Sequence, residues 1–269
     1  MTNLEDLSAA IGRIEARQKA IKDFVVRGFW HLVDRDETSE KNFKVTCTVC
    51  EYTAERHSLK HYFDRCRFGG GRLERYLCEN CGCIFGPLKC LSLSPEFFSA
   101  DYQLLYDSYA EADSTENEIR AFRSLEPERG KLYLNWGCGR WSRSIPVLRD
   151  EGYDVWGYEP CAAPEDSRFI VSSRNQISAK FQGIFSNNVI EHMVSPIDDF
   201  RYFKQILIPG GKMAHATACY QYRYAFTRFH VLFLLGESPK ILAQRTGFHV
   251  ESTESDGEFG NCIFVAREG

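Results

Sequence analysis

The sequence predicts an α/β fold: a doubly wound, mostly parallel sheet preceded by a small cysteine-rich module and a heptad-patterned helix. Three observations predict it. From about residue 115 onward, short apolar runs alternate with helical patterns, as strands do when they pair in parallel through helical crossovers. Two Cys-x2-Cys pairs, Cys47/Cys50 and Cys78/Cys81, stand in a glycine-punctuated stretch, which is the spacing of thiolate knuckles. Ahead of them, residues 3–35 carry apolar side chains every three to four positions, the period of a long helix.

Composition bounds the rest. A chain of 269 residues, 43% hydrophobic and 26% charged, can bury one full α/β domain plus a small module, and large-scale disorder is excluded. The net charge of -4 and a pI near 6.0 give no general pull toward nucleic acid or anionic membrane. The N-terminus lacks the apolar core of a secretory signal. No apolar run approaches the roughly 20 residues of a spanning helix. A cytoplasmic protein without a membrane span is therefore expected. The 11 cysteines, odd in number and unevenly spaced, argue against a disulfide framework.

Three regions follow: a helix over 1–40, the cysteine module over 41–92, and an α/β domain over 93–269 that begins with an aromatic-rich connector, 93–114. In the helix, Leu4, Ile11, Gln18, Val25 and Leu32 share one heptad position and Leu7, Ile14, Ile21 and Gly28 the other. Two readings stay open. One is an amphipathic helix packed on its own domain. The other is a short parallel coiled coil over residues 4–32 that makes a homo-oligomer or docks a partner helix, with Gln18 fixing register and Gly28 weakening the last heptad.

In the module, Cys47, Cys50, Cys78 and Cys81 are the candidate ligands of a structural Zn2+, since their four sulfurs can meet tetrahedrally. Cys66, Cys83, His57 and His61 are alternates, and a redox Cys-x2-Cys competes without a thioredoxin-like unit around it. Gly82 fits a tight knuckle turn. Cys90, Cys138, Cys161, Cys219 and Cys262 read as ordinary buried or loop thiols.

The α/β domain opens with a helix at Thr115, where Thr115 and Glu118 have capping-box spacing ahead of Ile119, Phe122 and Leu125; Pro127 and Gly130 close it. Strands are expected over 131–135, 154–158, 168–172 (weak), 183–186, 212–217 and 262–267. Helices are expected over 142–151, 197–207 (ended by Pro209-Gly210-Gly211) and 239–246.

The first strand runs into Gly137-Cys138-Gly139, where two glycines allow a sharp turn and close approach to a ligand. No third glycine follows; Trp141 or Ser142 stands there, and a pyrophosphate would miss its close contact. Glu159, twenty residues after Gly139, can accept both hydroxyl hydrogens of a ribose. Those residues alone fit a nicotinamide dinucleotide or S-adenosylmethionine.

The string LNWGCGRWSRSIPVLRDEGYDVWGYEP, followed by FQGIFSNNVIEHM and LIPGG, resembles the ordered motifs of class I S-adenosylmethionine-dependent methyltransferases, which have a Rossmann-like fold. The resemblance covers Thr115 to the C-terminus. It implies that Asn135, Gly137, Cys138 and Gly139 line the methionine end of the cofactor, Glu159 binds its ribose, Ser172 lies near the adenine, and Asn187 with Asn188 closes the site. Asn135 departs from the acidic residue commonest there, and the third strand lacks the usual acidic residue.

For a hydroxyl acceptor a base must take a proton, and three histidines lie after strands. His192 can serve as base or as a structural residue, His215 as base or core, His230 as base or pocket wall. The aromatic run from Tyr220 to His230, with Arg223 and Arg228, could hold a sugar or phosphate, or simply cover the sheet. A cysteine module ahead of such a domain resembles sugar-pathway methyltransferases, including nucleotide-sugar C-methyltransferases, and also some ribosomal RNA methyltransferases. The sugar C-methyltransferases carry a further C-terminal domain, so a chain ending after the sheet points to O-methylation. The expectation is an O-methyltransferase acting on a carbohydrate, either a nucleotide sugar or a surface polysaccharide glycan. The alternatives are a zinc-containing interaction protein with a non-methylating domain and, third, an RNA methyltransferase, against which the absence of a basic stripe counts.

Overall fold

The structure, a computed structural model, describes residues 4–37, 43–106, 112–140, 142–161 and 168–268. Trp141 and part of the connector, 107–111, lie outside the described residues.

Helix α1 (Leu4–Glu37) spans the predicted segment. Only its last turns reach the body, where Trp30 is 1% exposed and packs with Val26, Phe29 and Val33 against Cys90 and Val231. The heptad positions from Leu4 to Leu32 all face solvent. The cysteine module holds a hairpin, β1 (Lys44–Thr46) with β2 (Thr53–Glu55), and an antiparallel meander, β3 (Lys60–Arg65), β4 (Arg72–Leu77) and β5 (Ile84–Phe85). Two helices follow, α2 (Leu88–Leu91) and α3 (Pro95–Tyr106).

The α/β region runs α4 (Thr115–Arg123), β6 (Leu132–Trp136), α5 (Ser144–Asp150), β7 (Asp154–Tyr158), β8 (Ile170–Val171), β9 (Phe181–Asn187), α6 (Pro196–Ile206), β10 (Leu207–Ala216), β11 (Leu232–Phe233), α7 (Ser238–Thr246), β12 (Phe248–Asp256) and β13 (Phe259–Ala266). Seven strands form the central sheet in the order β12-β13-β10-β9-β6-β7-β8. The five from β10 to β8 are parallel, and β13 and β12 add an antiparallel edge. The expected doubly wound sheet is therefore present. Period-two alternation feeds both faces. Leu134 and Trp136 go to one core with Phe200, Phe203 and Leu242. Tyr133 goes to the other with Phe122, Ile145 and Phe185.

Four local expectations are corrected. Strand β12 was not foreseen, because as an edge strand it is polar and exposed beyond Val250 and shows no apolar alternation. Pro209-Gly210-Gly211 does not separate helix from strand; it is a register irregularity inside β10, between Leu207 and Lys212. Thr115 is not a capping residue: its amide donates to Asp113 Oδ1 at 3.0 Å, and Glu118 turns inward. Strand β11 pairs with β5, so the meander is a four-stranded sheet, β11-β5-β4-β3, completed by a segment from beyond β10. One apolar cluster accordingly runs from Val45, Tyr76 and Phe85 through to Leu134 and Ile184.

Candidate functional site

Parallel strands place their carboxyl ends along one edge of the sheet, where α/β folds bind ligands. At the end of β6, the amides of Gly137 and Cys138 donate to the Tyr158 carbonyl at 2.8 and 3.2 Å, closing a tight turn. Gly137 has φ +69°, and a Cβ there would stand 2.7 Å from Val189 Cγ2. Gly139 has φ +74°, yet a Cβ there would meet none of the described residues within 4 Å. Among the described residues the turn is therefore packed on one side and open on the other. Cys138 is buried, and its Sγ would lie 2.6 Å from a Cβ on Gly157. It offers a ligand only its backbone.

Glu159 follows β7 and is 9% exposed. Its Oε2 accepts from the Gly139 amide at 3.1 Å and its Oε1 from the Cys161 amide at 2.9 Å. Burial raises the carboxyl above its usual range, and those two amides oppose the shift. Each oxygen keeps acceptor capacity for a further donor.

Beneath the turn lies a carboxylate that the sequence reading assigned to helix capping. Glu118 accepts from Ser114 Oγ at 2.6 Å, Ser144 Oγ at 2.5 Å and Asn135 Nδ2 at 2.7 Å. Burial raises it as well. Asn135 is thus tied to α4 and α5, with a buried Oδ1 that has no partner among the described residues. At the end of β9, Asn187 has a buried Nδ2 without a partner among the described residues, and Asn188 takes φ +56° as its amide donates to the Ala216 carbonyl at 2.8 Å. Ser172 is exposed after β8, and its amide donates to Gln176 Oε1 at 3.1 Å.

The structure brings two of the three histidines together. His192 ends a short 3-10 turn, Ile190–His192, after β9, and His230 precedes β11. Their rings meet edge-on with centroids 4.9 Å apart. Glu191 joins them, with one ligand-type atom from each of the three within 4.8 Å of the others. His192 Nδ1 lies 3.1 Å from the Phe229 carbonyl, to which it can only donate, and His230 Nδ1 lies 3.4 Å from Cys219 Sγ. Burial lowers His192 to about 4 and His230 well below its usual value, so both are neutral at pH 7. His215 lies elsewhere. It is fully buried on β10 among Phe200, Phe203 and Phe264, its Nδ1 is 2.8 Å from Ser186 Oγ, and desolvation lowers it to about 3.

Two buried arginines, which sequence reasoning missed as positioning groups, hold the His230 segment. Arg75 on β4 is 0% exposed. It donates to the carbonyls of Ala225 at 2.9 Å, Thr227 at 2.8 Å and His230 at 3.0 and 3.1 Å. Arg228 pairs in bidentate fashion with Asp101 of α3 at 2.6 and 2.7 Å, and reaches the Phe68 carbonyl at 2.7 Å. Arg228 is therefore spoken for by Asp101. Tyr220 donates to the His215 carbonyl at 3.1 Å and Tyr222 to Asp64 at 3.0 Å. A signal for Arg75 did exist: it shares one face of its strand with Leu73 and Leu77, a charge in an apolar row.

The four sulfurs of Cys47, Cys50, Cys78 and Cys81 lie within 4.8 Å of one another, with Cys47–Cys81 at 3.7 Å and Cys50–Cys78 at 3.4 Å. The two knuckles repeat one design. The Cys47 amide donates to Tyr52 and the Cys78 amide to Cys83, at 2.9 and 2.8 Å; Glu51 donates back to Cys47 and Gly82 to Cys78, at 3.0 and 2.8 Å. Glu51 and Gly82 both take positive φ. Backbone amides of Val49 and Cys50 point at the Cys47 sulfur, and those of Asn80 and Cys81 at the Cys78 sulfur. Such a cluster can hold a metal ion. Among themselves the thiols cannot all ionise: bonds from neighbouring thiols hold Cys47 low, while burial and the Cys47 charge push Cys78 up. Cys83 is fully buried beside Cys47 and Cys81. Cys66 contacts Arg228 instead, and His61 is engaged by Glu74 and the Arg56 carbonyl.

A family model described as a methyltransferase domain matches residues 106–253, more than half of the chain. No curated protein matches it. Among solved structures, similarity is found to the Haloferax volcanii complex of the Trm112 methyltransferase activator with a methyltransferase (13% identity, 58% of this chain and 92% of that chain, TM-score 0.47). It is also found to the Burkholderia thailandensis 1,6-didemethyltoxoflavin-N1-methyltransferase with bound 1,6-didemethyltoxoflavin and S-adenosylhomocysteine (14% identity, 73% and 96%, TM-score 0.47). Among the described residues, no helix is long and apolar enough to cross a membrane.

Proposed function

The chain belongs to the methyltransferase domain family, and from that premise we propose that it transfers a methyl group from S-adenosylmethionine to a hydroxyl of a carbohydrate, a nucleotide sugar or a surface polysaccharide glycan. One observation carries the reading. The open glycine turn with Glu159 and the neutral His192–His230 pair both follow carboxyl ends of neighbouring strands in one sheet.

The residues fit the cofactor. Gly139 leaves room for backbone approach, Glu159 has acceptor capacity for two ribose hydroxyls, and the Asn187 Nδ2 is a buried donor in need of an acceptor. S-adenosylmethionine supplies a methyl carbon already activated by its sulfonium, so the protein has to align an acceptor and take one proton. Asn135 and Glu118 hold the turn from below. His192, whose ring bonds to the Phe229 and Asn188 carbonyls, is the base that takes the acceptor proton, with Glu191 close enough to stabilise the imidazolium. His230 packs edge-on against His192. Two neutral imidazoles and a carboxylate, with Arg75 and Arg228 both engaged, suit a polyhydroxyl acceptor better than an anionic one.

A structural Zn2+ on Cys47, Cys50, Cys78 and Cys81 belongs to the same proposal. Four thiolates this close need a cation to ionise together, and the paired knuckles supply the sulfur-directed amides such sites use.

Titration calorimetry with S-adenosylmethionine and its demethylated product is expected to give micromolar binding, and mass-spectrometric screening against glycan and RNA pools is expected to show mass gain on glycans. Absence of cofactor binding overturns the proposal. Mass gain on RNA alone overturns the acceptor class.

A further inference from the structure

Helix α1 carries two separate apolar stripes. With Leu4 at heptad position a, the residues that pack on the body, Val26, Phe29, Trp30 and Val33, occupy positions b, e, f and b. Trp30 at f lies opposite the a/d seam. The body leaves the seam open except at Gly28, which lines a cavity with Asp64, Cys66 and Arg72: Leu4, Leu7, Ile11, Ile14, Ile21, Val25 and Leu32 are all at least 48% exposed, and Gln18 is exposed as well. Over residues 4–32 that is a stripe of roughly 42 Å at the helical rise, too long for scattered surface apolar residues.

The charges beside the seam say what covers it. Glu15 and Lys22 stand at e, Arg17 and Phe24 at g. In a parallel pair, g faces the e position of the partner's next heptad, which sets Arg17 beside the partner's Lys22, like against like. In an antiparallel pair, e faces e and g faces g. One register then places Ile14 on the partner's Val25, Leu7 on the partner's Leu32 and Gln18 on the partner's Ile21. It sets Glu15 opposite the partner's Lys22, twice by symmetry, and Arg17 on the partner's Phe24. Sliding one heptad either way sets Glu15 against the partner's Glu15, or Lys22 against the partner's Lys22. We infer that α1 pairs antiparallel with α1 of a second copy in the Ile14–Val25 register. The transferase bodies lie away from the seam of that coil, since each is held on its own helix at b, e and f and, through Asp34, at c.

Analytical ultracentrifugation of the full chain is expected to give a dimer at tens of micromolar. Ile14→Asp, at an exposed position, should give a monomer with an unchanged circular dichroism spectrum. Lys22→Glu tests orientation: the antiparallel register predicts dimerisation weakened about tenfold through two Glu–Glu contacts, with Glu15→Lys/Lys22→Glu together restoring it. A parallel coil predicts tightening by Lys22→Glu, which would gain Arg17 as a partner. Tightening overturns the orientation. A monomer at every concentration, or a dimer that survives Ile14→Asp, overturns the surface.

Discussion

The glycine turn and the sulfur cluster are both buried polar sites, and they are satisfied in opposite ways. Under the turn, Glu118 receives hydrogen bonds from Ser114, Ser142, Ser144 and Asn135, and Glu159 from two backbone amides. The fold itself supplies every donor. In the cluster, Cys47, Cys50, Cys78 and Cys81 have one another and a few amides, a set that cannot carry four negative charges unaided. A site completed by its own chain is pre-formed; a site that lacks countercharge is completed by what it binds. Arg75 ties the cysteine module to the transferase side, since it leaves the module to hold the His230 segment.

Breaking the cluster should cost most. Cys78→Ser is expected to lower bound zinc below one equivalent by elemental analysis and to destabilise the protein by on the order of 5 kcal/mol in thermal unfolding. Unchanged metal content would separate the cluster from zinc. Gly137→Val comes next, because a side chain meets Val189 at a positive φ. Cofactor affinity measured by calorimetry should fall at least about 100-fold, against about 2 kcal/mol of stability. Arg75→Met tests the join: the carbonyls of Ala225, Thr227 and His230 lose their donor, at about 3 kcal/mol. Turnover should then fall while cofactor affinity is kept, and a parallel loss of both would place Arg75 in the cofactor site's support instead.

Glu118→Gln should be the mildest, about 1 kcal/mol, and its sign depends on pH. Burial raises this carboxyl, so its ionisation opposes folding. That penalty is absent below the ordinary carboxylate range, grows as pH rises past it, and levels off above the raised value. The variant should therefore gain on the parent as pH increases. A gain on acidification instead would mean that the four donors outweigh burial.

Local signals made the glycine turn legible in sequence: two glycines after an apolar run and an acidic residue one βαβ step later. The Cys-x2-Cys pairs were legible for the same reason, because each knuckle is built from neighbours. Contacts made across the chain were hidden. Glu118 at capping-box spacing gave no hint that it would turn inward to Asn135, and Thr115 lost its capping role to Asp113. His192 and His230 were separately visible as histidines after strands, but their meeting depends on Arg75 and on the β5–β11 pairing. His215 had the same sequence context, and only its packing among three phenylalanines distinguishes it.

The pairing of β5 with β11 also bears on how the chain reaches this state. Ile84 and Phe85 bond to Phe233 and Leu232, across nearly 150 residues of intervening sequence. Loop closure over that span is slow and comes late. During synthesis the module would therefore leave the ribosome with one sheet edge bare, and would keep it bare until β6 to β10 of the central sheet had followed. The knuckles can close early around their own short loops. The protection of that edge, and with it the risk of misassembly, is decided only once β11 has followed.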